Sequence, residues 1–191
     1  MSLLRHAFFY ALLAGRRGRA ELDTTFYKLD QWFDRPLELL HFQPDKGWTI
    51  AQVLEHIHLT NHFLLLTLSK QATRAVERAN RGDTIPQEPS DLEALNEIGI
   101  RGSFNWERPE HMEPTGDGSL SEIRQRLREQ KETCLKLLER LDNGVGRLVE
   151  ITMSVNQLGK IDLKQWAYFL VQHARRHLDQ LAEIENSATR N

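Results

Sequence analysis

The sequence predicts an all-α fold: a four-helix bundle in an up-down-down-up order with one long crossover, plus an extra N-terminal helix. Three observations carry this. Capping-box pairs stand at the starts of long amphipathic segments, apolar residues recur with helical spacing, and strand-like runs are scarce. An amphipathic helix is expected over Leu3 to Leu13, where the apolar run Ala7 to Ala14 ends just before Arg16 and Arg17. A second covers about 19–33, carrying Leu22, Phe26, Leu29, Trp32 and Phe33, with Pro36 disturbing its end. Thr49 with Gln52 opens the longest helix, about 49–80, which stops near Gly82. Ser119 with Glu122 opens another over about 119–142, and Asp162 with Gln165 a last one over about 162–186. Ser90 with Glu93 marks a short helical turn inside 83–118, a stretch otherwise rich in Pro and Gly. The one strand-like run, Leu148 to Val155, is expected as a single extended piece beside the bundle.

The unequal connections set the helix directions. A short join between the first two main helices favours antiparallel neighbours. A helix of about 30 residues is about 45 Å long, so returning to its start takes at least about 14 extended residues. The segment 83–118 is long enough, and the third helix can therefore run parallel to the second. The core is expected to hold Phe26, Trp32, Val53, Phe63, Leu127, Leu137, Leu170 and Leu181.

Composition narrows the function. The 191 residues fit one domain, 40% hydrophobic and 27% charged, which is a globular profile. Lys plus Arg number 25 against 27 Asp plus Glu, for a net charge of −2, and this near balance argues against nucleic acid as a partner. The longest apolar run is far short of a bilayer span, so no membrane partner is expected. One cysteine, Cys134, excludes an internal disulfide and a multi-cysteine zinc site, and points to a cytoplasmic setting. No phosphate-binding or dinucleotide fingerprint is present. The eight histidines are the feature that directs the search.

His173 and His177 stand at i, i+4 on the last helix and point the same way, roughly 40° apart at about 100° per residue. They share a sector with Trp166, Leu170, Leu181 and Ile184, so the pair faces inward. Ala174 stands where a zinc protease of the HExxH type carries its glutamate, which removes that mechanism. On the 49–80 helix, His56 lies with Val53, Ile57, Phe63 and Leu64, while His58 and His62 fall roughly 200° and 240° away, beside Glu55 and Ser69. His56 is therefore expected in the core, and His58 and His62 in solvent. Three buried imidazoles are costly unless their nitrogens are satisfied, and one divalent ion satisfies all three. His56, about 10 Å into its helix, and the His173–His177 midpoint, about 16 Å from the end of its own, meet at similar depth if the helices are antiparallel. Three histidine ligands leave coordination positions open, as catalytic sites do. A di-iron carboxylate bundle would need two Glu-x-x-His motifs on different helices, and only Glu55–His58 fits, on the polar side. His6, His41 and His111 are expected in loop or terminal settings, with Asn156, Gln157 and His111 as candidates for lining a pocket. Glu107 and Glu110 near Trp106 are read as a solvated loop.

The segment Trp48 to His56 (WTIAQVLEH) resembles the helix start of the DinB-like family of damage-inducible bacterial proteins. Leu158 to Trp166 (LGKIDLKQW), followed by His173, His177 and Gln180, is similar to that family's closing helix. Pro109 to Pro114 (PEHMEP), leading to Gly118, Ser119 and Leu120, is similar to its approach to the third helix. The resemblance covers about residues 19–186. It implies an often dimeric, right-handed up-down-down-up bundle binding one divalent ion through His56, His173 and His177. Zinc or nickel is the expected ion, with iron a further candidate. The resemblance also implies a metal-dependent transferase that activates a low-molecular-weight thiol toward a small-molecule substrate. The alternatives are a metal-dependent hydrolase and a non-enzymatic metal-binding or interaction bundle.

Overall fold

The computed structural model describes residues 18–105 and 109–190, and over these the chain is mainly helical. Helix α1 covers 18–32, α2 is the single turn Leu37–Leu40, α3 is Ile50–Asn80, α4 is Leu120–Arg140 and α5 is Leu163–Ala188. The helix expected over Leu3 to Leu13 lies outside the described residues.

Two of the expected capping boxes form. Thr49 accepts from the Gln52 amide (3.2 Å) and Gln52 returns a bond to the Thr49 amide (3.0 Å), closing off the start of α3. Asp162 accepts from the Lys164 and Gln165 amides (2.8 and 2.9 Å), and Gln165 accepts from the Asp162 amide, at the start of α5. At α4 the expected box does not form. Ser119 caps nothing through its side chain, and its Oγ meets Ser121 Oγ instead (2.9 Å), a local bond that competes with capping. The turn expected at Ser90 is a 3₁₀ helix, Glu93–Gly99, and Asp91 rather than Ser90 accepts the amides of Glu93 and Ala94.

Contacts along the helices give their relative directions. Leu64 and His56 of α3 meet Trp166 and His173 of α5, so positions rise on one helix as they fall on the other. His58 and Thr73 of α3 meet Gln130 and Arg140 of α4, rising together. Asp23 and Asp30 of α1 meet Lys131 and Arg124 of α4, in opposite sense. Glu21 of α1 accepts from Tyr168 of α5 (2.6 Å), and Arg35, just beyond α1, pairs with Glu185.

Leu22, Phe26, Leu29, Val53, Ile57, Leu127, Leu137, Leu170 and Leu181 are buried and form one contiguous core. Trp32 and Phe63, also expected there, are only half-buried. At about 25 cal/mol for each Å² of apolar surface removed from water, this core supplies the main driving force for folding. The expected single extended piece proves to be half of a hairpin: β1 (Glu150–Met153) pairs antiparallel with β2 (Gly159–Asp162), placing Ile151 opposite Ile161. Asn156 and Gln157 occupy the turn with positive φ (46° and 55°), a conformation that asparagine enters more readily than most residues. Asn156 donates to Glu97 (3.1 Å), which ties this turn to the 3₁₀ helix Glu93–Gly99.

Candidate metal centre

Three imidazoles from two helices converge between α3 and α5. His56 is 4%, His173 1% and His177 9% exposed, so all three have left water. His173 Nε2 lies 3.2 Å from His56 Nε2 and 3.1 Å from His177 Nε2. The i, i+4 step on α5 delivers two of the rings and the antiparallel crossing of α3 delivers the third.

The outer ring nitrogens fix where the protons sit. His56 Nδ1 is 2.7 Å from the carbonyl oxygen of Met112, a pure acceptor, so Nδ1 carries the hydrogen and Nε2 presents a lone pair. His177 Nδ1 donates to Gln180 Oε1 (2.8 Å), with the same consequence for its Nε2. Two lone pairs therefore point at His173 Nε2, which has at most one hydrogen to share between them. A cation at this point satisfies all three. Nitrogens held about 2.1 Å from one ion stand about 3.0 Å apart at right angles and about 3.4 Å apart in a tetrahedron; the two separations from His173 Nε2 fall between, and all three ligand atoms lie within 4.8 Å of one another.

The electrostatics favour the ligating form. Burial pushes the His173 pKa well below the usual imidazole value, with His177 and His56 adding to the effect. Burial likewise brings His177 down to about 3, helped by His56 and opposed by the bond to Gln180. Both rings are neutral near pH 7, as metal ligation requires. Trp48 packs on His56, its ring 4.8 Å away centre to centre, and covers one side of the site. Among the described residues the metal-type cluster consists of His56, His173 and His177, which leaves coordination positions for an exogenous ligand.

Among the described residues, the remaining candidates lie outside this cluster. His62 is exposed, as expected. His58 is not in solvent: it is half-buried against α4, where Gln130 Nε2 lies 2.9 Å from its Nδ1, and burial lowers its pKa. The wheel of α3 separates His56 from His58 correctly, but packing of α4 through Gln130 covers the flank that carries His58. Glu55 is buried for a related reason, covered by the long crossover. His41 and His111 are exposed, and His111 meets Phe63 edge to face (4.2 Å between ring centres). His6, Trp106 and Glu107 lie outside the described residues. Met112 escapes any side-chain motif because it acts through its carbonyl, whereas Gln180 is signalled by its i+3 spacing from His177.

A family profile of the DinB superfamily matches residues 16–181. The chain belongs to the DinB superfamily. The matched region contains the three histidines, Gln180 and the crossover that supplies Met112. No curated protein and no solved structure matches the chain with significance. Among the described residues, no helix is long and apolar enough to cross a membrane.

Proposed function

We propose that this DinB-superfamily protein is a metal-dependent enzyme that activates a low-molecular-weight thiol at His56, His173 and His177, so that its thiolate attacks an electrophilic small molecule and the whole thiol is joined to it through sulfur. The reading is carried by one observation: two fixed lone pairs converge on a third buried imidazole nitrogen, in a cluster that holds three protein ligands. A zinc or nickel ion bound there would lower the pKa of a coordinated thiol and hold its thiolate, the nucleophilic form. The chain's own part is to keep three neutral imidazoles aimed at one point. Met112 and Gln180 hold the ring orientations, and Trp48 shields His56 from water.

The reacting sulfur comes from outside the chain. Cys134 is fully buried in α4 and burial pushes its thiol up to about 12, so it stays protonated. The pairwise helix directions support an up-down-down-up four-helix bundle as the frame, with α1 and α5 running one way and α3 and α4 the other. A cytoplasmic location, where free low-molecular-weight thiols abound, and a homodimeric form complete the reading.

The test is metal content as purified, followed by an assay with that metal against a panel of thiols and electrophiles. Thiol-dependent turnover that stops on chelation is expected. Turnover of ester or amide substrates without thiol would assign a hydrolase instead, and stoichiometric metal without turnover in either assay would leave a binding protein.

A further inference from the structure

The crossover between α3 and α4 reaches the histidine cluster through one backbone atom, the Met112 carbonyl. Met112 lies at the end of a short 3₁₀ turn, Glu110–Met112, which touches α3 through the His111–Phe63 ring contact and the Met112–His56 bond. Glu110 and His111 are exposed, and the stretch that follows, Glu113 to Gly118, has no regular structure. What fixes it is the side chain next to His56 in sequence. Glu55 is 7% exposed, and both its carboxylate oxygens are directed at this stretch. Oε1 accepts from the Thr115 amide (3.3 Å) and the Thr115 hydroxyl (3.0 Å), and Oε2 accepts from the Gly116 amide (2.9 Å). Gly116 has φ +81°, and a Cβ there would press to 3.2 Å from Gln52, so its backbone is shaped to lie against α3.

A buried carboxylate is costly to bring out of water, and three donors from one loop compensate that cost only while the loop stays in place. Residues 112 and 115 are three apart, so anchoring Thr115 and Gly116 keeps the Met112 carbonyl within about 10 Å of that anchor, on the side of α3 that carries His56. That carbonyl holds the Nδ1 hydrogen of His56 and hence the lone pair on Nε2. A partner of this kind sets the tautomer, the ring orientation and the basicity of a metal-ligating histidine.

We propose that Glu55 is a positioning residue for the metal centre: it clamps the crossover so that the Met112 carbonyl orients His56. The proposal rests on the three-histidine reading of the site, and the experiment separates the two. Metal-free wild-type protein, E55Q and T115V are compared by proton NMR for the exchange-protected His56 Nδ1–H, and each is then titrated with zinc against a chromogenic chelator. L137A, a core truncation about 18 Å along the bundle, serves as the control for general destabilisation.

In wild type the His56 N–H is expected as a downfield resonance, and it should weaken or vanish in E55Q. Zinc affinity should fall about 10- to 100-fold in E55Q, while L137A binds as wild type does. T115V, at an exposed position, loses the hydroxyl's bond to Glu55 and the one it accepts from the Asp117 amide (3.2 Å) but keeps both backbone donors to Glu55, and should fall less, about threefold to tenfold. If E55Q does not fold, T115V decides. Wild-type affinity and an unchanged resonance in a folded variant would overturn the proposal. Absence of zinc binding by wild type would instead overturn the metal reading, and loss of affinity in L137A to the same extent would reduce Glu55 to a structural contact.

Discussion

Acidifying the metal-free protein from about pH 7 to about pH 4.5 should destabilise it through the histidine cluster. The sign follows from the folded-state pKa values lying below the ordinary 6.5. In that interval the unfolded chain takes up protons that the folded chain refuses, so stability falls as pH falls from about 6.5 toward the folded pKa. For His177, with a folded value of about 3, the loss between the two pH values is about 2.5 kcal/mol, and His173 acts in the same direction. His58, lowered by burial, adds to it, while Asp162, raised by burial, opposes it at the acid end. The Arg124 and Arg128 partners of Asp30 hold its carboxyl below the usual 3.8, so that contribution is lost only below about pH 4, outside the interval. The assay is urea unfolding followed by circular dichroism, in chelator, for wild type and H177A. Wild type should lose about 2 kcal/mol or more across the interval, and H177A distinctly less. Equal pH dependence in the two proteins would refute the assignment of neutral, buried imidazoles.

H177A should remain helical at pH 7 but lose stoichiometric zinc and all thiol-transfer activity; an unfolded variant would make the ion structural, which metal-dependent circular dichroism would reveal. The double variant H58A/H62A should keep its metal stoichiometry, and the lost His58–Gln130 contact should cost about 1 kcal/mol in urea unfolding. Metal lost from this variant but retained by H56A would reverse the assignment of faces on α3. Cys134 should resist an aromatic disulfide reagent in the native state and react only on unfolding; C134A should keep thiol-transfer activity, and its loss would place the reacting sulfur inside the chain.

The parts of the fold that were legible in the sequence depend on neighbours along the chain. Capping boxes at Thr49 and Asp162 and the 3.6-residue spacing of α3 and α5 place the helix ends within a residue or two. The three histidines were legible because burial of a helical face leaves a periodic trace. What was hidden depends on contacts distant in sequence. His58 looks solvent-facing on its own helix, and only α4 packing through Gln130 covers it. Glu55 looks like a surface acid until the crossover closes over it. The second strand, Gly159–Asp162, overlaps the approach to α5, so the helix signal concealed the hairpin. Ser119 carries the residues of a capping box, yet a hydroxyl two positions on takes its bond.

Anomalous diffraction from a crystal of the protein loaded with stoichiometric zinc would locate the ion itself. One ion is expected, bonded to the Nε2 atoms of His56, His173 and His177 at about 2.0–2.1 Å, with a non-protein ligand completing the coordination. An ion bound elsewhere, at His58 and His62 for instance, or a fourth protein side chain closing the coordination, would contradict the account.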